Sequence, residues 1–207
     1  MDKYTLQKFT KQVLSFSLLI LSLLLWECKT PFSTREPEPP ESKQSSWVPP
    51  TSPMIVLFNL TNAIAEKNVI NYSRCLADTA NSSKSFRFIA DPSVARANPG
   101  LFDHWSNAEE TNYLNQMLSF LPKDSTGRLV LKTLRENTFQ DSVVLLQEYS
   151  LKMHLKCENN DCPRDMQGQA EFRLIKSTED LWTIYLWSDR ATGQKKTWSE
   201  LRAYFGK

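Results

Sequence analysis

Val143–Cys157 reads VVLLQEYSLKMHLKC, and its alternation decides the fold class. Val143, Leu145, Gln147, Tyr149, Leu151, Met153, Leu155 and Cys157 fall on one side of an extended chain; Glu148, Ser150, Lys152, His154 and Lys156 fall on the other. Side chains of a strand point alternately to its two faces, so this is a half-buried strand with one face on a core and the other toward water, as in antiparallel sheets. Arg128–Leu134 precedes it, and Gln169–Lys176 follows across a loop. Leu181–Asp189 (LWTIYLWSD) makes a last strand after the turn Ser177–Asp180. The second half of the chain is therefore predicted to be a long antiparallel meander.

Upstream the periodicity changes to that of helices. Ser52 is placed to cap a helix with Pro53 in its first turn, and Met54, Leu57, Phe58, Thr61, Ile64 and Ala65 recur at helical spacing. A second short helix is predicted over Val69–Leu76, with Tyr72, Cys75 and Leu76 at its contacts. Ser85–Ala90 reads as a strand ended by Asp91-Pro92 and an irregular stretch to Gly100. Ser106 with Glu109 three residues on is a capping-box signature for a third helix carrying Tyr113, Leu114, Met117, Leu118 and Leu121, stopped by Pro122. A brief helix, TWSELRAYF, closes the chain, with Thr197 or Ser199 as its cap. The elements make an α+β domain with helices first and sheet after.

Ahead of this domain, Val13–Trp26 is an uncharged apolar run of 14 residues preceded by Lys3, Lys8 and Lys11. It is short for a span of a ~30 Å hydrocarbon core, which takes about 20 helical residues, and suits the apolar region of an export signal. Cys28 directly after it resembles the acylated cysteine of a bacterial lipoprotein signal, although Trp26 and Glu27 stand where that pattern has small residues. Two alternatives stay open: an uncleaved signal anchor with Trp26 at the interface, and cleavage further on, for instance after Ser33, giving a secreted form. Residues 29–52 (KTPFSTREPEPPESKQSSWVPPTS) are proline-rich and polar, the composition of an extended linker. The organisation expected is thus 1–28 signal or anchor, 29–52 linker and 53–207 domain, working in the cell envelope outside the cytoplasm. Without residues 1–28 the chain keeps 22 of its 25 basic and 21 of its 23 acidic groups, a near-neutral balance that points away from nucleic acid.

The helix–helix–strand order, Trp105-Ser106 opening a third helix, the strand residues Trp182-Thr183-Ile184 and Trp187-Ser188-Asp189, and Thr197-Trp198-Ser199-Glu200-Leu201 resemble the nuclear transport factor 2-like superfamily, also called SnoaL-like or cystatin-like. The resemblance runs over roughly Pro53–Tyr204 and implies a curved antiparallel sheet wrapped round helices, a conical pocket and often a homodimer through the outer sheet face. On that fold Tyr72, Phe88, Trp105, Tyr149, Trp182, Tyr185 and Trp187 are the candidates to line a pocket for a small apolar ligand, against the plainer reading that most are core. The fold hosts isomerases, cyclases, dehydratases and plain binding or assembly domains, so it does not name an activity.

An enzyme of the ketosteroid-isomerase or polyketide-cyclase type would need a carboxylate or histidine base inside the cone with a hydrogen-bond donor facing it. Asp91, Asp103, His104 and His154 are the candidate bases and Tyr72, Tyr149 and Tyr185 the candidate donors. None lies in a catalytic motif, and each has a plainer reading as a turn, cap or outer-face residue, so no catalytic, cofactor or metal residue is assigned. The reading is a non-catalytic binding or assembly domain with an envelope partner or a small ligand; a pocket enzyme is the alternative. Cys157 and Cys162 bracket a four-residue polar turn, and an exported protein would close it as a disulfide. A metal site with His154 is the rival, disfavoured because a strand sends His154 and Cys157 to opposite faces. Cys75 is left as a buried core residue.

Overall fold

The computed structural model describes residues 45–158 and 161–207. Cys28, the apolar run and residues 29–44 of the linker lie outside the described residues, as do Asn159 and Asn160. Five helices and five strands run in the order α1 (Pro53–Glu66), α2 (Val69–Arg74), β1 (Arg87–Ile89), α3 (Pro92–Ala97), α4 (Asn107–Ser119), β2 (Arg128–Thr138), β3 (Ser142–Lys152), β4 (Asp165–Lys176), β5 (Trp182–Arg190) and α5 (Trp198–Phe205).

Strands β2 to β5 form the expected antiparallel meander, with Leu145 opposite both Glu136 and Phe172. The sheet order is β1-β5-β4-β3-β2 and the sheet stays open, with irregularities between Thr133 and Arg135 and between Arg173 and Leu174. One expectation needs correcting: β1 lies parallel to β5, so the sheet is mixed. A strand set among the helices joins the meander at its far edge and has no tight turn that would force it antiparallel. Bulges like these increase twist and bend a strand, which curves the sheet round its helices.

The inner face holds Leu145, Tyr149, Leu151, Met166, Ala170, Phe172, Leu174, Ile184 and Trp187, all nearly inaccessible and packed with Val56, Leu60, Ile64, Tyr113, Leu114 and Met117 of the helices. Each such side chain stabilises the fold by about 1.5–3 kcal/mol through removal from water. The alternation read in Val143–Cys157 persists as far as Leu155, although the ladder ends at Lys152. Beyond it, single bonds from Met153 to Arg164 and from Lys156 to Phe120 guide the chain.

Several ends differ from the sequence reading. Ser52 makes no capping bond, whereas Asn68 caps α2 through Asn71, and α2 stops at Arg74. The capping box of Ser106 and Glu109 forms as expected. The stretch after Asp91 is not irregular throughout: Asp91 accepts from the Ser93 amide and Pro92 opens α3. Asp-Pro is a turn signal and equally a helix start, and only tertiary context separates the two. Composition places Ser45–Ser52 in the linker, yet Val48 exchanges two hydrogen bonds with the buried Asn59 side chain and Pro50 accepts from the Trp182 amide.

Cys157 and Cys162 are joined by a disulfide, with Cα atoms 6.1 Å apart, a state compatible with an oxidising, extracellular location. Cys75 is a free, buried thiol. Among the described residues no helix is long and apolar enough to cross a membrane.

Candidate functional site

Two opposite charges sit on the apolar stripes of two helices. In α4, Glu110 precedes Tyr113, Leu114 and Met117 at helical spacing; in α5, Arg202 lies between Trp198 and Leu201 on one side and Phe205 on the other. Both stripes face the core, so both charges are carried inside and are fully inaccessible to solvent. There the Arg202 guanidinium grips the Glu110 carboxylate with two nitrogens, Nη2 to Oε1 at 2.6 Å and Nε to Oε2 at 2.8 Å. The Tyr72 hydroxyl donates to Oε1 at 2.5 Å and the Trp105 indole to Oε2 at 2.6 Å. Burial, reinforced by the adjacent carboxylate, pushes the Tyr72 hydroxyl well above its ordinary pKa.

Aromatic rings enclose this pair. The guanidinium carbon lies 3.9 Å from the centroid of Phe88 and 4.2 Å from that of Trp187, with Trp198 and Tyr113 a little beyond. Trp187 and Trp198 meet edge to face with centroids 4.4 Å apart, and Phe172 packs on Trp187 at 4.7 Å. Burial alone would strip Arg202 of its proton more easily, but the Glu110 carboxylate more than offsets this and the pKa is raised. Cation–π contacts with the rings add to that stabilisation.

A second network joins the first at Trp198, whose indole donates to Tyr113. Asp189, at the end of β5, accepts from the Tyr149 hydroxyl at 2.8 Å, the Ser199 amide at 2.6 Å and the Ser199 hydroxyl at 2.5 Å. The Tyr149 hydroxyl in turn accepts from the Trp198 amide at 2.7 Å. The first amides of α5 are thus capped by side chains from the sheet, where a carboxylate is favoured by the helix dipole. Gly168 leaves the space this needs, since a Cβ there would stand 2.8 Å from the Tyr149 hydroxyl oxygen. Ser199 also accepts from the Asp91 amide, and Asp91 caps α3 and accepts from Ala191. Burial raises the Asp189 pKa against the lowering effect of its hydrogen bonds. At Asp91 the balance reverses: burial raises its pKa, but bonds from Ser93 and Ala191 win and hold it below the usual carboxylate value.

Every oxygen of the two buried carboxylates is engaged, although Arg202 Nη1 has no partner among the described residues. The Glu110 carboxylate is held by Arg202, Tyr72 and Trp105, and Asp189 by Tyr149 and Ser199, all of them at most 3% exposed. A general base needs a lone pair within reach of a substrate proton, and neither carboxylate presents one. Both networks tie α4, α5 and the sheet into one body.

The residues singled out from the sequence divide accordingly. Tyr72, Phe88, Trp105, Tyr149 and Trp187 come together in this packed interior. Trp182 is buried at the start of β5 with Lys176 near its ring, and Tyr185 is half-buried with the Lys84 ammonium over its ring. Asp103, His104 and His154 are exposed, and Asp91 is a cap. Glu110 and Arg202 escaped the sequence reading, where the signal present was a charge on an apolar stripe of each helix; Asp189 enters it only at the end of the last strand and in the Trp187-Ser188-Asp189 resemblance, with no role of its own. Among the described residues no cluster of side chains is arranged to hold a metal. Three clefts among these residues lie elsewhere, and of the seven aromatic candidates only Tyr149 lines one, beside Val130, Lys132 and Gly168.

No family model matches the chain, and no curated protein matches its sequence. Solved structures do match its fold. A Kribbella flavida protein is 12% identical with a TM-score of 0.51, covering 72% of this chain and 93% of that one. A proposed aromatic ring hydroxylase from Novosphingobium aromaticivorans is 10% identical at the same TM-score, covering 72% and 92%. A proposed dehydratase of the nuclear transport factor 2-like family from Streptomyces avermitilis is 8% identical at 0.49, covering 68% and 94%. At such identities the likeness extends to the fold and no further. Helices packed on a curved, open, mixed sheet, a fold shared with the Kribbella flavida and Novosphingobium aromaticivorans structures, make this chain an α+β cone.

Proposed function

We propose that the protein is an exported, membrane-tethered domain that binds or assembles without catalysing a reaction, and that it pairs with a second copy through the outer face of its sheet. The observation that carries the non-catalytic reading is the occupied interior: Tyr72, Phe88, Trp105 and Trp187, four of the seven aromatic residues expected to line a pocket, pack instead on the Glu110–Arg202 pair. Recognition then falls to the exterior. On the outer face Val144, Leu146, Ile175 and Leu186 are half-buried around the Arg173–Glu171 ion pair, and no helix of the described residues packs on that side. A half-exposed apolar centre with a polar surround is the composition of an interface. The apolar run, Cys28 and the disulfide support export and tethering.

The test is sedimentation of the full chain in detergent, beside Leu186→Glu and Leu146→Arg. A dimer that both substitutions dissociate is the expected result. A monomer at all concentrations would overturn the pairing, and turnover of any cyclic ketone in a substrate screen would overturn the non-catalytic reading.

A further inference from the structure

A cleft of about 380 Å³ lies between the lead-in around Trp47, the end of α2, the loop after Leu76 and the β4–β5 turn, apart from both the interior networks and the outer apolar centre. That volume suits a small molecule. Its two sides carry opposite charge. On one side Arg74 lies over the Trp47 ring, its guanidinium carbon 4.1 Å from the centroid. Its hydrogen bond within the described residues is a long one, 3.4 Å to Asn71, and no carboxylate there pairs with it. Stacking fixes the plane of a guanidinium and leaves its N–H edge free to grip a carboxylate with two bonds.

The other side is built by the loop and the turn, tied together where the Thr178 amide and hydroxyl donate to the Asn81 carbonyl. It presents Asp78 and Glu179, both exposed and neither ion-paired within the described residues. One oxygen of Asp78 is taken by the Thr79 hydroxyl and the Ala80 amide, which orients the carboxylate and leaves its other oxygen available. Leu76 and Leu181 supply apolar surface between the charges. A simple anion would meet Asp78 and Glu179, and a simple cation would meet Arg74. Opposite charges on one short ligand satisfy both sides at once.

We infer that this cleft binds a small zwitterion of the amino-acid or short-peptide class, its carboxylate on Arg74 and its ammonium on Asp78 and Glu179. The inference does not rest on dimerisation or on the absence of catalysis, so either can fail without the other. In a shallow, wet cleft the affinity should be on the order of 0.1–1 mM.

The experiment is a titration of the full chain in detergent with the dipeptide Lys-Glu, following the Trp47 indole N–H by NMR, assigned with Trp47→Phe. Saturable shifts of that resonance are expected, with weaker or no response to glutarate, to 1,5-diaminopentane and to N-acetyl-Ala-Ala-amide. Arg74→Gln should weaken binding roughly tenfold or more, as for loss of a charged hydrogen-bond partner, and Glu179→Gln should weaken it less. Both residues are exposed, so the variants should keep the wild-type spectrum elsewhere. Absence of saturable shifts, equal response to glutarate alone, or binding undiminished in Arg74→Gln would each overturn the assignment.

Discussion

The two faces of the sheet treat charge in opposite ways. On the inner face Glu110 and Arg202 are sealed among Phe88, Trp187 and Trp198, every oxygen of the carboxylate engaged. On the outer face Arg173 and Glu171 pair in partial contact with water, beside Val144, Leu146 and Leu186, which no helix of the described residues covers. An exposed pair of that kind contributes about 0–1 kcal/mol, whereas removing one partner of a buried pair costs about 3–5 kcal/mol because the other is left charged and alone. The inner face is therefore the place where a single substitution most destabilises the domain, and in the proposed pairing the outer face is the place where it alters association. Here the interior is spanned by a strut of two opposite charges.

Substitutions should separate the faces in that order. Arg202→Met strands the Glu110 carboxylate and should lower stability by about 3–5 kcal/mol, read from the denaturant midpoint. Asp189→Ala leaves the Tyr149 hydroxyl and the Ser199 amide without their acceptor in a buried site and should cost about 1–3 kcal/mol by the same measurement. Reduction of Cys157–Cys162 closes off a short loop's contribution and should cost about 2 kcal/mol or less, read as a fall in Tm with dithiothreitol. Leu186→Glu on the outer face should change monomer stability by no more than about 0.5 kcal/mol while dissociating the proposed dimer. A large loss of fold from the last, or a negligible one from the first, would erase the distinction between the faces.

Acid gives a further handle on the caps of α3 and α5. Asp91 has a folded pKa below its unfolded value of about 3.9, so its contribution is complete above that pH and disappears as pH falls through the folded pKa. The difference in Tm between wild type and Asp91→Asn should accordingly be constant from pH 7 to 5 and shrink below pH 4. Asp189 works the other way: its raised pKa makes the ionised form a burden that grows as pH rises through the folded value.

Much of this architecture was legible before any coordinates. The alternation from Val143 to Leu155 and the capping box at Ser106 survive in the fold because each depends on its own neighbours along the chain. The parallel placement of β1 was not legible, since three residues carry no record of the distant strand beside them. Helix α3 was hidden because Asp91-Pro92 serves equally as a turn and as a helix start. The strut was the largest omission. Glu110 and Arg202 look like ordinary solvated charges until their helices are known to turn those faces inward and toward each other. Of the two caps read for α5, Thr197 is the N-cap, its amide donating to Glu200, while Ser199 lies inside the helix, where its amide and that of Trp198 are taken by Asp189 and Tyr149 of the sheet.

A double-mutant cycle on Glu110→Leu and Arg202→Met tests the strut most directly, with unfolding free energy as the readout. If the pair is structural, each single substitution is severely destabilising and the double variant recovers much of the loss, since two apolar side chains then fill the aromatic enclosure with no charge left unpaired. If the losses are small, or simply add, the two charges do not depend on each other in a sealed core, and the account of an occupied, non-catalytic interior is wrong.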